Sequence, residues 1–174
     1  MIIITYSPGS AERCKWHCAA LLVGLLAAFG SGAQTPAPPL QVTTTAELAQ
    51  LQMANGHSSV RLLAADHVVP GDLLIYTLKV RNAGSDPVST PQFVAPIPLH
   101  TSYVADSAVG PGAEVLYSVD SGETFDKPQN LRVPGEGGVM RPATAADYTH
   151  IRWTLRHGLK PKSVAYARFH ARLN

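Results

Sequence analysis

Between residues 73 and 82 apolar and polar side chains alternate one by one. Leu74, Tyr76, Leu78 and Val80 fall to one side, and Ile75, Thr77, Lys79 and Arg81 to the other. A period of two marks a strand with one face buried. Turn residues set its limits: Pro70-Gly71-Asp72 precedes it and Asn82-Ala83-Gly84 follows. Proline presets φ for a turn, while glycine and asparagine tolerate positive φ. Two further alternating stretches close the chain, Tyr148 to His157 and Ser163 to Leu173. In the first, Ile151, Trp153 and Leu155 share a face opposite His150, Arg152, Thr154 and Arg156. In the second, Ala165, Ala167, Phe169, Ala171 and Leu173 oppose Val164, Tyr166, Arg168, His170 and Arg172.

The remaining pattern is also one of short strands between turns. Leu40 to Met53 runs into Asn55-Gly56, a favoured hairpin turn, with Val60 to Ala65 as the returning strand. Ala46 to Met53 is rich in Ala, Glu, Leu and Gln, so a short helix is the alternative there. The prolines between Pro87 and Pro98 mark an edge strand or irregular backbone. Thr101 to Ala108 and Ala113 to Val119 read as strands separated by Gly110-Pro111-Gly112, and Asp120 to Glu123 as a tight turn. Residues 126–147 lack periodicity and read as a long surface loop, which in a compact domain is functional or mobile. No helix is required anywhere. Seven to nine short strands at regular spacing predict an all-β, antiparallel β-sandwich.

The amino-terminal residues carry a different signal. Arg13 and Lys15 precede the apolar run Cys18 to Phe29, and Ser31-Gly32-Ala33 supplies small residues after it. This is the layout of a secretory leader over 1–33, cleaved after Ala33. The run is shorter than the roughly 20 apolar residues a membrane span needs. Residues 34–40 form a Pro-rich tether, and 41–174 one domain. Both cysteines, Cys14 and Cys18, fall in the leader, so the domain must hold by core burial without a disulfide. Of fourteen Lys and Arg and twelve Asp and Glu, Arg13, Lys15 and Glu12 precede residue 34. Twelve cations then face eleven anions. That balance gives no general reason to expect nucleic acid or an anionic membrane as partner.

These residues resemble the bacterial conserved-repeat domain of cell-surface proteins, an immunoglobulin-like sandwich of unknown function. The matching elements are Pro70-Gly71-Asp72 with Tyr76, Asn82-Ala83-Gly84, and Pro96-Ile97-Pro98 with Tyr103-Val104 and Ser107. Tyr117 to Gly122 with Phe125, Asp147 to Trp153, and Leu159-Lys160-Pro161 complete them. The resemblance spans about residues 41–174. Many relatives repeat the domain in tandem; here one copy is present. The family's usual Pro-Gly before the last strand is Pro161-Lys162 here, a departure expected to alter the turn but not the strand. The resemblance implies an exported structural or binding module, periplasmic or extracellular, and supplies no catalytic residues.

Candidate chemistry is sparse. If the last two strands pair as a hairpin, Arg152, Arg156, Arg168, His170 and Arg172 gather on one outward face. Guanidinium forks there would suit the carboxylates or phosphates of an anionic envelope glycan. A solvated sheet face whose arginine stems cover apolar surface explains the same residues. His57, His67, His100, His150, His157 and His170 show no metal-ligand spacing. Asp120 to Glu123 lacks the alternating ligands of a calcium loop, and no serine sits in a nucleophile-elbow context. The expectation is therefore a non-enzymatic, adhesive or protein-interaction module of the cell envelope, without cofactor or metal. Its partner would be another envelope protein, met through an exposed sheet edge or the 126–147 loop. Membrane contact would be peripheral at most.

Overall fold

The computed structural model describes residues 39–54 and 57–174. The expected leader, most of the expected tether and the expected Asn55-Gly56 turn lie outside the described residues. Ten strands are present: β1 (Leu40–Ala54), β2 (His57–Ala64), β3 (Leu73–Asn82), β4 (Gln92–Pro96) and β5 (Thr101–Tyr103). Then come β6 (Ala113–Ser118), β7 (Arg132–Pro134), β8 (Met140–Pro142), β9 (His150–Leu155) and β10 (Val164–Leu173). The stretch over 46–53 is strand throughout, because β3 pairs with it as far as Leu48 and β2 from Glu47 onward. Tertiary pairing has overridden local helix propensity.

All strand pairs among the described residues are antiparallel, in a five-stranded sheet ordered β2-β1-β3-β10-β5, a three-stranded sheet ordered β4-β9-β6 and the two-stranded pair β7-β8. The two sheets stack face to face. Leu78, Val80, Ala167, Phe169 and Ala171 of the larger sheet share one core with Phe93, Tyr117, Ile151, Trp153 and Leu155 of the smaller. Trp153 is fully buried, stacked on Phe93 at 5.6 Å between ring centroids and tilted against Phe169 at 6.2 Å. Each alternating apolar face read from the sequence thus points into the sandwich, where burial in water-excluding contact stabilises it most.

The expected hairpin of the last two strands does not form. β9 lies in the middle of the smaller sheet and β10 in the larger, joined by residues 156–163, which cross from one layer to the other. Leu159 is buried in that crossover and exchanges two backbone hydrogen bonds with Val88. The physical reason is that two strands with apolar faces can pair side by side or stack face to face. Stacking Trp153 on Phe169 buries both faces at once.

The turn motifs acquire specific partners. Asp72 N–H donates to Val69 O at 3.1 Å across a turn with Gly71 at φ 95°. Gly71 N–H in turn donates to Leu173 O, which ties this turn to the end of β10. Asn82 is fully buried: its Nδ2 donates to Asp86 O and Leu159 O, and its Oδ1 accepts from Gly84 N–H. The Asn-Ala-Gly sequence is thus the peg that fixes the crossover against β3. Ser163 N–H donates to Lys160 O, with Lys162 at φ 65° in the third turn position. The turn keeps the positive φ that glycine favours there, so Lys162 changes the residue and not the geometry expected of the motif.

Residues 126–147 are not one structureless loop. β7 and β8 pair within them, Leu131 is buried in the core, and Ala143 N–H donates to Leu131 O. Arg141 grips Asp147 through two nitrogens at 2.7 and 2.8 Å, and Asp147 also accepts from the Thr144 N–H and hydroxyl. Prolines, glycines and short three-residue strands hid this order from any periodicity test.

Candidate interaction surface

The larger sheet is five strands wide, about 24 Å at ordinary strand spacing, and the smaller about 14 Å. The β1–β2 pair therefore hangs outside the sandwich, and Val42 on its inner side stays exposed. β1 also runs past the start of β3. Its last partner there is Leu48, opposite Leu74, so residues 49–54 pair only with β2. The result is a two-stranded ribbon extending roughly 20 Å beyond the sheet.

Register divides the ribbon into two faces. Leu51 lies opposite Val60, Ala49 opposite Leu62 and Met53 opposite Ser58. These residues share one face, while Gln50, Gln52, Ser59 and Arg61 share the other. On the apolar face Leu51 is 66 % exposed, Met53 72 %, Val60 62 % and Leu62 38 %. A ribbon of this kind is marginal on its own in water, and contiguous apolar exposure marks contact surfaces.

The free edges of the two sheets differ sharply. β4 is an edge strand, as its prolines imply, and Pro91 and Pro96 blunt it. β5 is three residues long. β2 is different: eight residues, no proline, exposed at every position except Leu63, and with no strand on its outer side among the described residues. An edge so long and so little protected is a template for another strand.

The five residues of the expected arginine face are not brought together. Arg152 belongs to the outer side of the smaller sheet, Arg156 lies just past the end of β9 with its N–H on Gly112 O, and Arg168, His170 and Arg172 belong to the outer side of the larger sheet. The core separates the two groups. The Arg152 guanidinium carbon lies 4.5 Å from the centroid of the Phe125 ring, and its Nε is buried with no hydrogen-bond partner among the described residues. Arg168 Nε donates to Thr77 Oγ1, and Arg172 Nη1 donates to Gly71 O at 2.6 Å. Burial and the neighbouring Arg168 charge push the His170 imidazole below its ordinary pKa.

Two other places carry polar groups in unusual settings. A pocket of about 500 Å³ lies between Pro96–Thr101 and Tyr148–His150, with His100 and Ser121 at φ 62° on its wall. His150 Nδ1 meets Thr149 Oγ1, and Gly122 packs on the His150 ring. Behind the pocket, Tyr103 and Tyr117 hydroxyls meet at 3.0 Å and Tyr148 stacks on Tyr117. Burial first, then the Tyr103 bond, pushes the Tyr117 hydroxyl far above its ordinary pKa. Burial raises the Tyr148 hydroxyl as well, and the three rings pack against one another. In the 120–123 turn Asp120 accepts from Ser118 Oγ and from Thr124, which hold its carboxyl well below the usual carboxylate range. Hydrogen bonds inside the turn occupy its oxygens. Among the described residues no three His, Cys, Asp or Glu side chains stand close enough to hold a metal ion, and no helix is long and apolar enough to cross a membrane.

The sequence carried the ribbon's strands but not its isolation. That depends on where β3 begins relative to β1, which is a matter of register. Comparison with family models, curated proteins and solved structures found no match to this chain.

Proposed function

We propose that this chain is an exported, non-enzymatic interaction module of a bacterial cell envelope, which takes a strand of a protein partner onto the β2 edge. One observation carries the reading: an eight-residue edge strand without proline, with no partner on its outer side among the described residues and flanked by the exposed apolar face of Leu51, Met53, Val60 and Leu62. Main-chain hydrogen bonds along β2 would supply affinity, and the apolar face would supply selectivity for alternate side chains of the incoming strand. The leader pattern and the resemblance to conserved-repeat surface domains support export; a β-sandwich stable without disulfides suits that setting. The 126–147 segment is the weaker contact surface, because Leu131 and the Arg141–Asp147 pair tie it down. A single anion-binding face built from Arg152, Arg156, Arg168, His170 and Arg172 is the less favoured reading, since Arg152 belongs to the smaller sheet and Arg168, His170 and Arg172 to the larger.

The test uses a photo-reactive amino acid placed singly at Ser59, at Val139 or at Glu114. A discrete protein adduct from envelope extract at Ser59 alone is the expected result. Adducts at Val139 but not Ser59 would move the function to the β7–β8 segment. Adducts at none of the three would remove the edge as the contact surface.

A further inference from the structure

A near-neutral total charge conceals a segregated one. On the outer side of the larger sheet, strand register aligns Arg81 with Val164, Lys79 with Tyr166, Thr77 with Arg168, and Leu73 with Arg172. The strands present four cations there, Lys79, Arg81, Arg168 and Arg172, all exposed, against one acid, Glu47, a net of +3. Tyr166 stands among them, 53 % exposed. The apolar residues of the ribbon belong to this same side. Glu47, Ala49, Leu51 and Met53 continue the alternation of Gln41, Thr43 and Thr45, which oppose Arg81, Lys79 and Thr77. One face of one sheet is thus basic over its middle and apolar at its projecting end.

We infer that this face lies on an anionic lipid leaflet, with the ribbon's apolar side in the interfacial zone and the four cations against lipid headgroups. Charge selects the occupant. A cationic strip beside exposed leucine, methionine and valine side chains is the combination that peripheral membrane surfaces use, because apolar burial and headgroup attraction add. A second copy docked face to face would set Arg168 and Arg172 against like charges, and a polysaccharide would leave Leu51 and Met53 in water. The polar side of the ribbon, with Gln50, Gln52 and Arg61, would face away from the lipid. This goes beyond strand addition at β2 and is compatible with it, since the β2 edge would run along the leaflet and stay open.

Flotation with lipid vesicles tests it. Every buried core residue lies between Leu74 and Ala171, so residues 36–174, a compact unit, keep the whole core and omit the apolar leader run. The protein is expected to float with phosphatidylcholine vesicles containing roughly 30 % phosphatidylglycerol, and not with phosphatidylcholine alone. Neutralising the face with K79Q, R81Q, R168Q and R172Q together is expected to reduce binding by more than about tenfold. L51S, M53S and V60S together should do the same, while R152Q with R156Q on the opposite side should change nothing. Trp153 fluorescence verifies that each variant is folded. Binding to neither vesicle overturns the inference, as does equal binding to both or equal loss in the R152Q/R156Q control. A concentration-dependent dimer abolished by the ribbon changes, without vesicle binding, would overturn it in favour of a second copy. Strand addition at β2 would survive each of those results, because the Ser59 adduct is read separately.

Discussion

Single residues in this chain earn their places through backbone chemistry more than through side-chain reactivity. Asn82 is the clearest case. It is buried at the junction of β3, the 84–86 turn and the crossover, and all three of its side-chain hydrogen bonds go to backbone groups. Asn82→Ala would leave those groups without their partner, and is expected to cost about 3 kcal/mol in urea unfolding. Lys162 is the opposite case, a residue accepting a conformation that does not favour it. At φ 65° a β-carbon is strained by about 1 kcal/mol or more, so Lys162→Gly is expected to raise stability by up to about that amount. A glycine there that destabilised the domain would show the lysine side chain to be engaged. His170 offers a check on electrostatics. Burial first, and Arg168 second, favour its neutral form, so its midpoint by NMR should fall below 6.5. Arg168→Gln should raise that midpoint part of the way back. Because the folded pKa is depressed, the stability tied to the neutral ring is complete above pH 6.5 and is lost as pH falls through the folded value.

At the level of elements, what the sequence made legible was set by periodicity and what it hid was set by pairing. β3, β9 and β10 were readable because Leu78, Trp153 and Phe169 recur in strict alternation with polar neighbours. The inward side of each strand was readable for the same reason. The partner of each strand was not. Ile151-Trp153-Leu155 and Ala167-Phe169-Ala171 present the same pattern whether they lie edge to edge or face to face, and only the layer assignment separates Arg152 from Arg168. The β7–β8 ribbon was hidden because a three-residue strand has no measurable period. The β1–β2 ribbon was visible as a hairpin, yet its projection beyond β3 follows from register alone. Its exposed position has a dynamic consequence: amides of residues 49–53 pair only with β2, while those of 41–46 pair with the central strand β3. Hydrogen exchange of the free domain should be faster over 49–53 by more than about tenfold, since local openings need not disturb the core. Equal protection along β1 would mean that the ribbon is covered already.

Over the whole molecule, the sandwich separates a stable core from an uncovered flank. Trp153, Phe169, Leu78 and Ile151 bury one continuous interior between the sheets. The smaller sheet covers the β3, β10 and β5 side of the larger, and β1 and β2 carry the open edge and the apolar ribbon. Composition averaged this asymmetry away: twelve cations and eleven anions beyond residue 33 read as neutral, while the outer strand positions of one sheet hold a net of +3. The central claim is that β2 is the strand a protein partner pairs with. Hydrogen exchange of the complex captured through Ser59 tests it most directly. Amides across residues 57–64 are expected to slow by more than about tenfold on complex formation, with little change over 132–142. Unchanged exchange across 57–64, with protection elsewhere, would contradict it.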